Sequence, residues 1–267
     1  MQSDFPTSLL YLWKKRSFFI GTVEKSLNIS TGASTIMFAL EKDIHVSNEK
    51  TSFYCRSLLV PAGEAINIDP QGGIIANCTL DPAGLDFHNL KQKMNDQNGV
   101  LFLNFDNEIL IINRLIELQN NKNDIDSIDD FLSQELLCSC ENWPDQIGIP
   151  PFTDPRIKLI LEYIESHPRD NTSLSELASM IHISESYLSE LFKQTTGIPI
   201  RRYRLWCRVY NTVASTCLGR SLTDSAIDMG FNDSPHFNRT FRSMLGIAPS
   251  TVFSQPNGLT VLPPKMS

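Results

Sequence analysis

The side chains best suited to recognition chemistry fall in two short polar runs. The first holds Ser184, Ser186, Tyr187, Ser189, Glu190 and Lys193; the second holds Ser234, Pro235, His236, Asn238, Arg239 and Arg242. Hydroxyl, amide, guanidinium and carboxylate groups in this density can read the donor and acceptor pattern on base edges. Asn238 suits adenine, and Arg239 suits guanine or phosphate. Glu190 can accept from cytosine N4 but repels phosphate, and it can instead pair with Lys193 as ordinary surface. Ser184 and Ser234 stand where helices would start, and the free N–H groups of a helix start bind phosphate.

Each polar run sits inside a copy of one helical unit. The first copy runs Leu174, Leu177, Ala178, Ile181, His182, Ile183, then Leu188, Phe192, Gly197, Ile198. The second runs Leu222, Ala226, Gly230, Phe231, then Phe237, Phe241, Gly246, Ile247. The offset is 48 from Leu174/Leu222 to Ile183/Phe231 and 49 from Leu188/Phe237 onward, so the second copy carries one extra residue. Leu174, Leu177, Ala178 and Ile181 mark one face of a helix, and Ser173 with Glu176 spells a capping box. A second apolar face follows after a short break, and Gly197 ends it. Helix, tight turn, helix is the expected arrangement. The break requires a residue that tolerates positive φ. Gly230 supplies it in one copy and His182 stands there in the other. Asn232 or Asp233 is placed to cap the helix carrying His236. Phe192, Phe231, Phe237 and Phe241 lie on the buried stripes and read as core.

Residues 199–218 join the copies without an internal breaker, with Tyr203, Trp206, Tyr210, Val213, Ala214 and Cys217 on one stripe. At about 1.5 Å per residue such a rod is about 30 Å long. One turn of B-DNA is about 34–36 Å. A rod of that length can hold two reading helices about one turn apart on double-stranded DNA. Arg201, Arg202, Arg204 and Arg208 cluster on it.

The stretch 153–253 resembles the DNA-binding domain of the AraC/XylS family of bacterial transcription regulators. The match is carried by Ala226, Gly230, Phe231, Asp233, Phe237, Arg239, Phe241, Arg242, Gly246, Pro249 and Ser250 at the family's spacing. The resemblance implies a sequence-specific regulator in which Ser186, Ser189 and Glu190 occupy base-reading positions, and Glu190 departs from the arginine common there. It further implies a cupin-like jelly roll ahead of the DNA-binding part, used for a small-molecule effector, and helices after the barrel that form a homodimer interface; packing of those helices against their own barrel is the compatible alternative. RNA polymerase is a further expected partner. The alternative is an effector-independent regulator whose first part only dimerises or binds a protein.

The net charge of −7 looks wrong for a DNA binder until it is divided. Residues 1–153 hold 11 Lys/Arg against 20 Asp/Glu, and residues 154–253 hold 11 against 10. A nearly neutral second half predicts modest non-specific affinity, leaving more to specific contacts. The six cysteines form no C-x-x-C pair and read as reduced thiols. The apolar Leu9–Trp13 precedes Lys14-Lys15-Arg16, the reverse of a signal peptide, and no apolar run approaches the length of a membrane span. The expectation is a cytoplasmic protein.

Residues 1–105 read as strands at Ser17–Val23, Thr35–Leu40, Ile44–Ser47, Thr51–Val60, Ala65–Ile68 and Gly73–Leu80, a sandwich or barrel pattern. Only His45 and His88 lie in this half, too few for a histidine-rich cupin metal site, so neither enzyme activity nor a metal or cofactor is expected. Helices follow around Ile109–Leu118 and from Ile128 to Leu136, with Ser127 as a cap. The expected division is 1–140 sensor, 141–153 linker by its prolines, 154–253 DNA-binding domain, and a tail at 254–267 that frays. Asp154-Pro155 reads as a helix start.

Overall fold

The computed structural model describes residues 8–13, 16–30, 32–82, 84–120, 125–137, 154–245, 248–253 and 259–262. The proposed linker, Cys138, Cys140, Gly246 and Ile247 lie outside them. The chain begins with strands β1 (Ser8–Trp13), β2 (Arg16–Thr22), β3 (Leu27–Ser30), β4 (Thr35–Ala39) and β5 (Ile44–Ser47). Next come β6 (Ser52–Cys55), β7 (Ser57–Val60), β8 (Ala65–Asp69), β9 (Ile74–Thr79), helix α1 (Asp86–Lys91), β10 (Met94–Asn98) and β11 (Leu101–Phe105). Helices α2 (Glu108–Asn120) and α3 (Ile125–Asp130) follow, and α3 runs on into a π-helical stretch at Phe131–Leu136. The second part holds α4 (Pro155–Ser166), α5 (Leu174–Met180), α6 (Glu185–Thr196), α7 (Ile200–Cys217), α8 (Leu222–Asp228), α9 (Ser234–Leu245) and α10 (Pro249–Phe253), and closes with β12 (Leu259–Leu262).

The first part is mostly β and the second helical. Eight strands form one sheet in the order β10-β11-β7-β4-β9-β2-β1-β12, and β3-β8-β5-β6 form another. Strand β4 shows why the sequence here is a continuous apolar run. Ile36 and Phe38 pack with α2, α3 and the π-helical stretch, while Met37 and Ala39 pack against the other sheet. Successive side chains point to opposite faces, and both faces are covered. Cys55 and Cys78 are buried among these apolar groups, and burial pushes both thiols up, Cys55 to about 12. Arg16 and Asp86 form a buried pair with two hydrogen bonds of 2.6 and 3.0 Å.

The sequence reading named none of β1, β3, α1, β10 or β11, and three further features depart from it. Thr51–Val60 is two strands, broken at Arg56, whose guanidinium donates to the carbonyls of Ala39 and Leu40. Ser127 lies inside α3 instead of capping it. The expected fraying tail is corrected at 259–262, where β12 pairs in parallel with β1 from Ser8↔Leu259 to Tyr11↔Leu262. Open backbone N–H and C=O groups on the β1 edge favour such pairing, which apolar composition in a short tail does not announce. The two histidines of the first part serve separate local contacts: His45 bonds Ser52 and His88 bonds Gln92. Among the described residues no group of His, Cys, Asp and Glu is placed to hold a metal ion, and no helix is long and apolar enough to cross a membrane.

Candidate nucleic-acid interface

Helix α5 starts as its sequence requires. The Ser173 Oγ accepts from the Glu176 N–H, and the Glu176 carboxylate accepts from the Ser173 N–H at 2.6 Å, a complete capping box. Helix α6 is capped by Ser184, whose Oγ accepts from the Tyr187 N–H at 3.3 Å, and it ends on Gly197 in the left-handed conformation. Between them His182 has φ +55°, and in the second pair Gly230 has φ +85°. The turn geometry is thus the same in both pairs, although only one uses glycine. Asp233 caps α9, accepting from the His236 N–H at 2.6 Å.

Helix α7 joins the pairs. Ile200, Tyr203 and Cys207 enter a core with α4, α5 and α6; Trp206, Val209 and Val213 enter another with α8 and α9. Both sets step by three and four residues, so one rod offers two stripes to two partners. Between the stripes lies Arg208, only 8% exposed. Its guanidinium donates to the carbonyls of Pro168, Asp170 and Gly230 and to Asn171 Oδ1, at 2.8 to 3.1 Å. One side chain thereby ties the loop before α5 to the turn before α9. Burial lowers its pKa, with Arg204 adding to the effect.

The arginine cluster expected on the rod is dispersed by these bonds. Arg208 is internal, Arg204 donates to the Thr172 carbonyl at 2.6 Å, and Arg202 bonds the Ser30 carbonyl and hydroxyl on the β part. Arg201 alone of the four is exposed. An open cleft of about 710 Å³ brings Arg201 together with Lys193 of α6 and His236 and Arg239 of α9, and Glu64 of the β part lies on its rim.

The other sequence candidates lie on the same two helices or at their starts but do not line this cleft. Ser186, Tyr187, Ser189 and Glu190 are exposed along the first half of α6, with Glu190 accepting from Gln194 at 3.2 Å instead of pairing with Lys193. Ser184 and Ser186 hydroxyls stand 3.3 Å apart. Pro235, Asn238, Arg239 and Arg242 are exposed on α9, and the Ser234 hydroxyl meets Thr223 at 3.1 Å. His236 is half-buried, its ring edge-on to Phe231 at 5.3 Å. Arg156 was missed by the sequence reading. Its guanidinium lies 5.5 Å from the Tyr187 ring centre and holds Asp154 at 2.7 Å, which puts a cation beside the start of α6. Nothing in the α6 sequence signals this, because Arg156 arrives from α4.

A helix-turn-helix domain model matches residues 177–255. Regulatory protein PocR of Salmonella typhimurium is 29% identical over 109 residues, 40% of this chain and 36% of PocR. An HTH-type transcriptional regulator of Staphylococcus aureus is 31% identical over 92 residues, 34% of this chain. The chain spans only 12% of that relative's length. Among solved structures, an apo variant of ToxT from Vibrio cholerae matches with a TM-score of 0.59 at 14% identity, covering 89% of this chain and 96% of ToxT. Unsaturated fatty acid-bound ToxT matches at 0.53 and 12% identity, covering 94% and 96%. At these identities the ToxT likeness concerns the fold. The helical part is thus of the helix-turn-helix DNA-binding class. Residues 177–255 carry a helix-turn-helix domain of the kind found in AraC-type transcription regulators.

Proposed function

We propose that the protein is an effector-responsive transcription regulator that reads two adjacent major-groove segments of duplex DNA. In this reading α5–α6 and α8–α9 are two helix-turn-helix motifs, α6 and α9 enter successive grooves, and α7 sets their separation. Ser186, Ser189 and Glu190 face bases in one groove, and Asn238 and Arg239 in the other. Lys193, Arg201, Arg242 and the helix starts at Ser184 and Ser234 meet phosphates. The observation that carries the reading is the pair of equivalent helix units bound to one rod and locked by Arg208. The β part acts as a cupin-like sensor, residues 1–140, joined by 141–153 to the DNA-binding domain at 154–253. Homodimerisation through α2, where Ile109 and Leu110 are exposed, and contact with RNA polymerase complete the proposal.

Selection from a random duplex pool tests it. Full-length protein should enrich two short boxes about one helical turn apart. Ser189→Ala should relax one box and Asn238→Ala the other. Enrichment of one box alone overturns the two-segment reading.

The effector clause rests on a second observation. A cavity of about 80 Å³ lies between the sheet and α7, lined by Leu10, Phe19, Met37, Trp206 and Phe241 among others. A filled core there would favour the effector-independent alternative. ToxT, whose fold this chain shares, has been solved with an unsaturated fatty acid bound.

A further inference from the structure

The cavity beneath α7 has one polar feature that its neighbours leave unanswered. Trp206 is 2% exposed, lines the cavity, and its indole N–H has no hydrogen-bond partner among the described residues. A buried donor without an acceptor costs free energy, so native structures rarely leave one. The other walls cannot supply a charge. Phe19, Met37, Ile75, Val213 and Phe241 are apolar, and no Lys, Arg, His, Asp or Glu stands among the described lining residues. Asn77, the one amide in the wall, already accepts from the Thr35 hydroxyl at its Oδ1. The space exceeds what a single water needs and has room for several waters or one small ring.

We propose that this cavity binds a small neutral apolar molecule with one hydrogen-bond acceptor, such as a carbonyl or ether oxygen, which takes the Trp206 N–H. The inference rests on the effector reading above and names the ligand's charge and shape. An anion of similar size would lose its hydration with no cation to replace it. The recognising donor belongs to the DNA-binding rod, whereas most of the apolar wall belongs to the β part. A bound molecule therefore touches β2, β4 and β9 on one side and α7 and α9 on the other. It stabilises only the arrangement in which both walls are present.

Three probes of similar outline test the assignment with the full chain: acetophenone, neutral with a carbonyl; ethylbenzene, neutral without an acceptor; and benzoate, an anion. The readout is the indole N–H resonance of Trp206 in ¹⁵N-labelled protein, assigned with Trp206→Phe. Acetophenone should shift that resonance saturably and raise Tm, ethylbenzene should bind without the downfield shift of a new hydrogen bond, and benzoate should leave it in place. Trp206→Phe should weaken acetophenone roughly 3- to 10-fold and leave ethylbenzene unchanged, the worth of one neutral hydrogen bond. Asn77→Lys should turn the preference toward benzoate. Saturation by benzoate alone, or by no neutral probe, overturns the proposal. Binding of the selected DNA duplex is measured in the same samples. DNA binding without probe binding sinks the ligand site alone, and probe binding without DNA binding sinks the DNA reading alone.

Discussion

The two helix pairs share one plan but not one support. The α5–α6 pair closes its core with α4 and the first half of α7: Ile157, Ile160, Leu161 and Ile164 meet Leu177, Leu188, Phe192 and Tyr203. The α8–α9 pair closes its core partly with the β part: Leu10, Leu12 and Ala33 join Trp206, Phe231, Phe237, Phe241 and Met244. A Cβ on Gly32 would stand 2.9 Å from the Met244 sulfur, so the approach is as close as glycine permits. Equivalent sequence repeats therefore need not be equally independent. The second pair is seated on strands of the β part, whereas the first meets that part through the loop at Ala62 and Gly63.

Separating the parts should produce the largest difference. In a 154–253 fragment the apolar side of α9 loses Leu10, Leu12 and Ala33. Losing such cover costs about 3 kcal/mol, which corresponds to amide exchange about 100-fold faster in α8 and α9. Exchange in α5 and α6 should match the whole chain. Equal acceleration in both pairs, read by hydrogen-exchange mass spectrometry, would break the comparison.

Arg208→Met should cost about 2–3 kcal/mol, because it leaves several carbonyls of two segments without a donor. Denaturant melts should show this loss. Unlike the fragment, the variant should loosen both pairs, since Arg208 bonds the loop before α5 and Gly230 alike.

The turns should respond with opposite signs. Gly230→Ala places a Cβ about 3.2 Å from the Arg169 carbonyl and the Arg208 guanidinium at φ +85°, a double conflict. It should destabilise by about 2 kcal/mol. His182→Gly relieves a left-handed residue and should stabilise by about 0.5–1 kcal/mol. Thermal melts of the two variants check the pair, and a loss in His182→Gly would show that the ring contributes more than its backbone costs.

The caps give smaller effects. Ser173→Ala breaks a reciprocal capping box and should cost about 1 kcal/mol. Ser221→Ala should cost less, because the Ser221 hydroxyl accepts from the Asp224 N–H at 3.0 Å but also donates to the Asp224 carboxylate, a side-chain contact made in solvent. Smallest is the acid response of α4, which supports only the first pair. Arg156 holds the Asp154 carboxyl at about 2, below its ordinary 3.8. The folded value is the depressed one, so the cap is fully present above 3.8 and is lost as pH falls toward 2. An NMR titration should show the Arg156 amide moving in that window while α8 and α9 amides do not track it.

Much of the helical part was legible because its signals are local. Ser173 and Glu176 specify a cap within four residues, Gly197 a left-handed stop, and His182 occupies the turn position by register against Gly230. The strands Thr35–Ala39 and Ile74–Thr79 were visible as apolar runs. Strands β1, β3 and β12 were not, since β1 borders a basic cluster, β3 is short and half polar, and β12 exists only by pairing with a residue 251 positions earlier. The rod arginines were legible as a cluster but not as separate roles. Which carbonyl a guanidinium reaches depends on loops that are remote in sequence.

Sequence alone determined the repeat, the turns, the rod and the two polar faces proposed to read DNA, because each depends on spacing within a helix or a cap. Tertiary structure decided that Arg208 is a buried tie, that Arg202 leaves the rod surface for Ser30, and that Trp206 closes a cavity whose other walls come from strands. Those outcomes follow from burial and from which backbone groups still need partners, and both are settled only when distant segments meet.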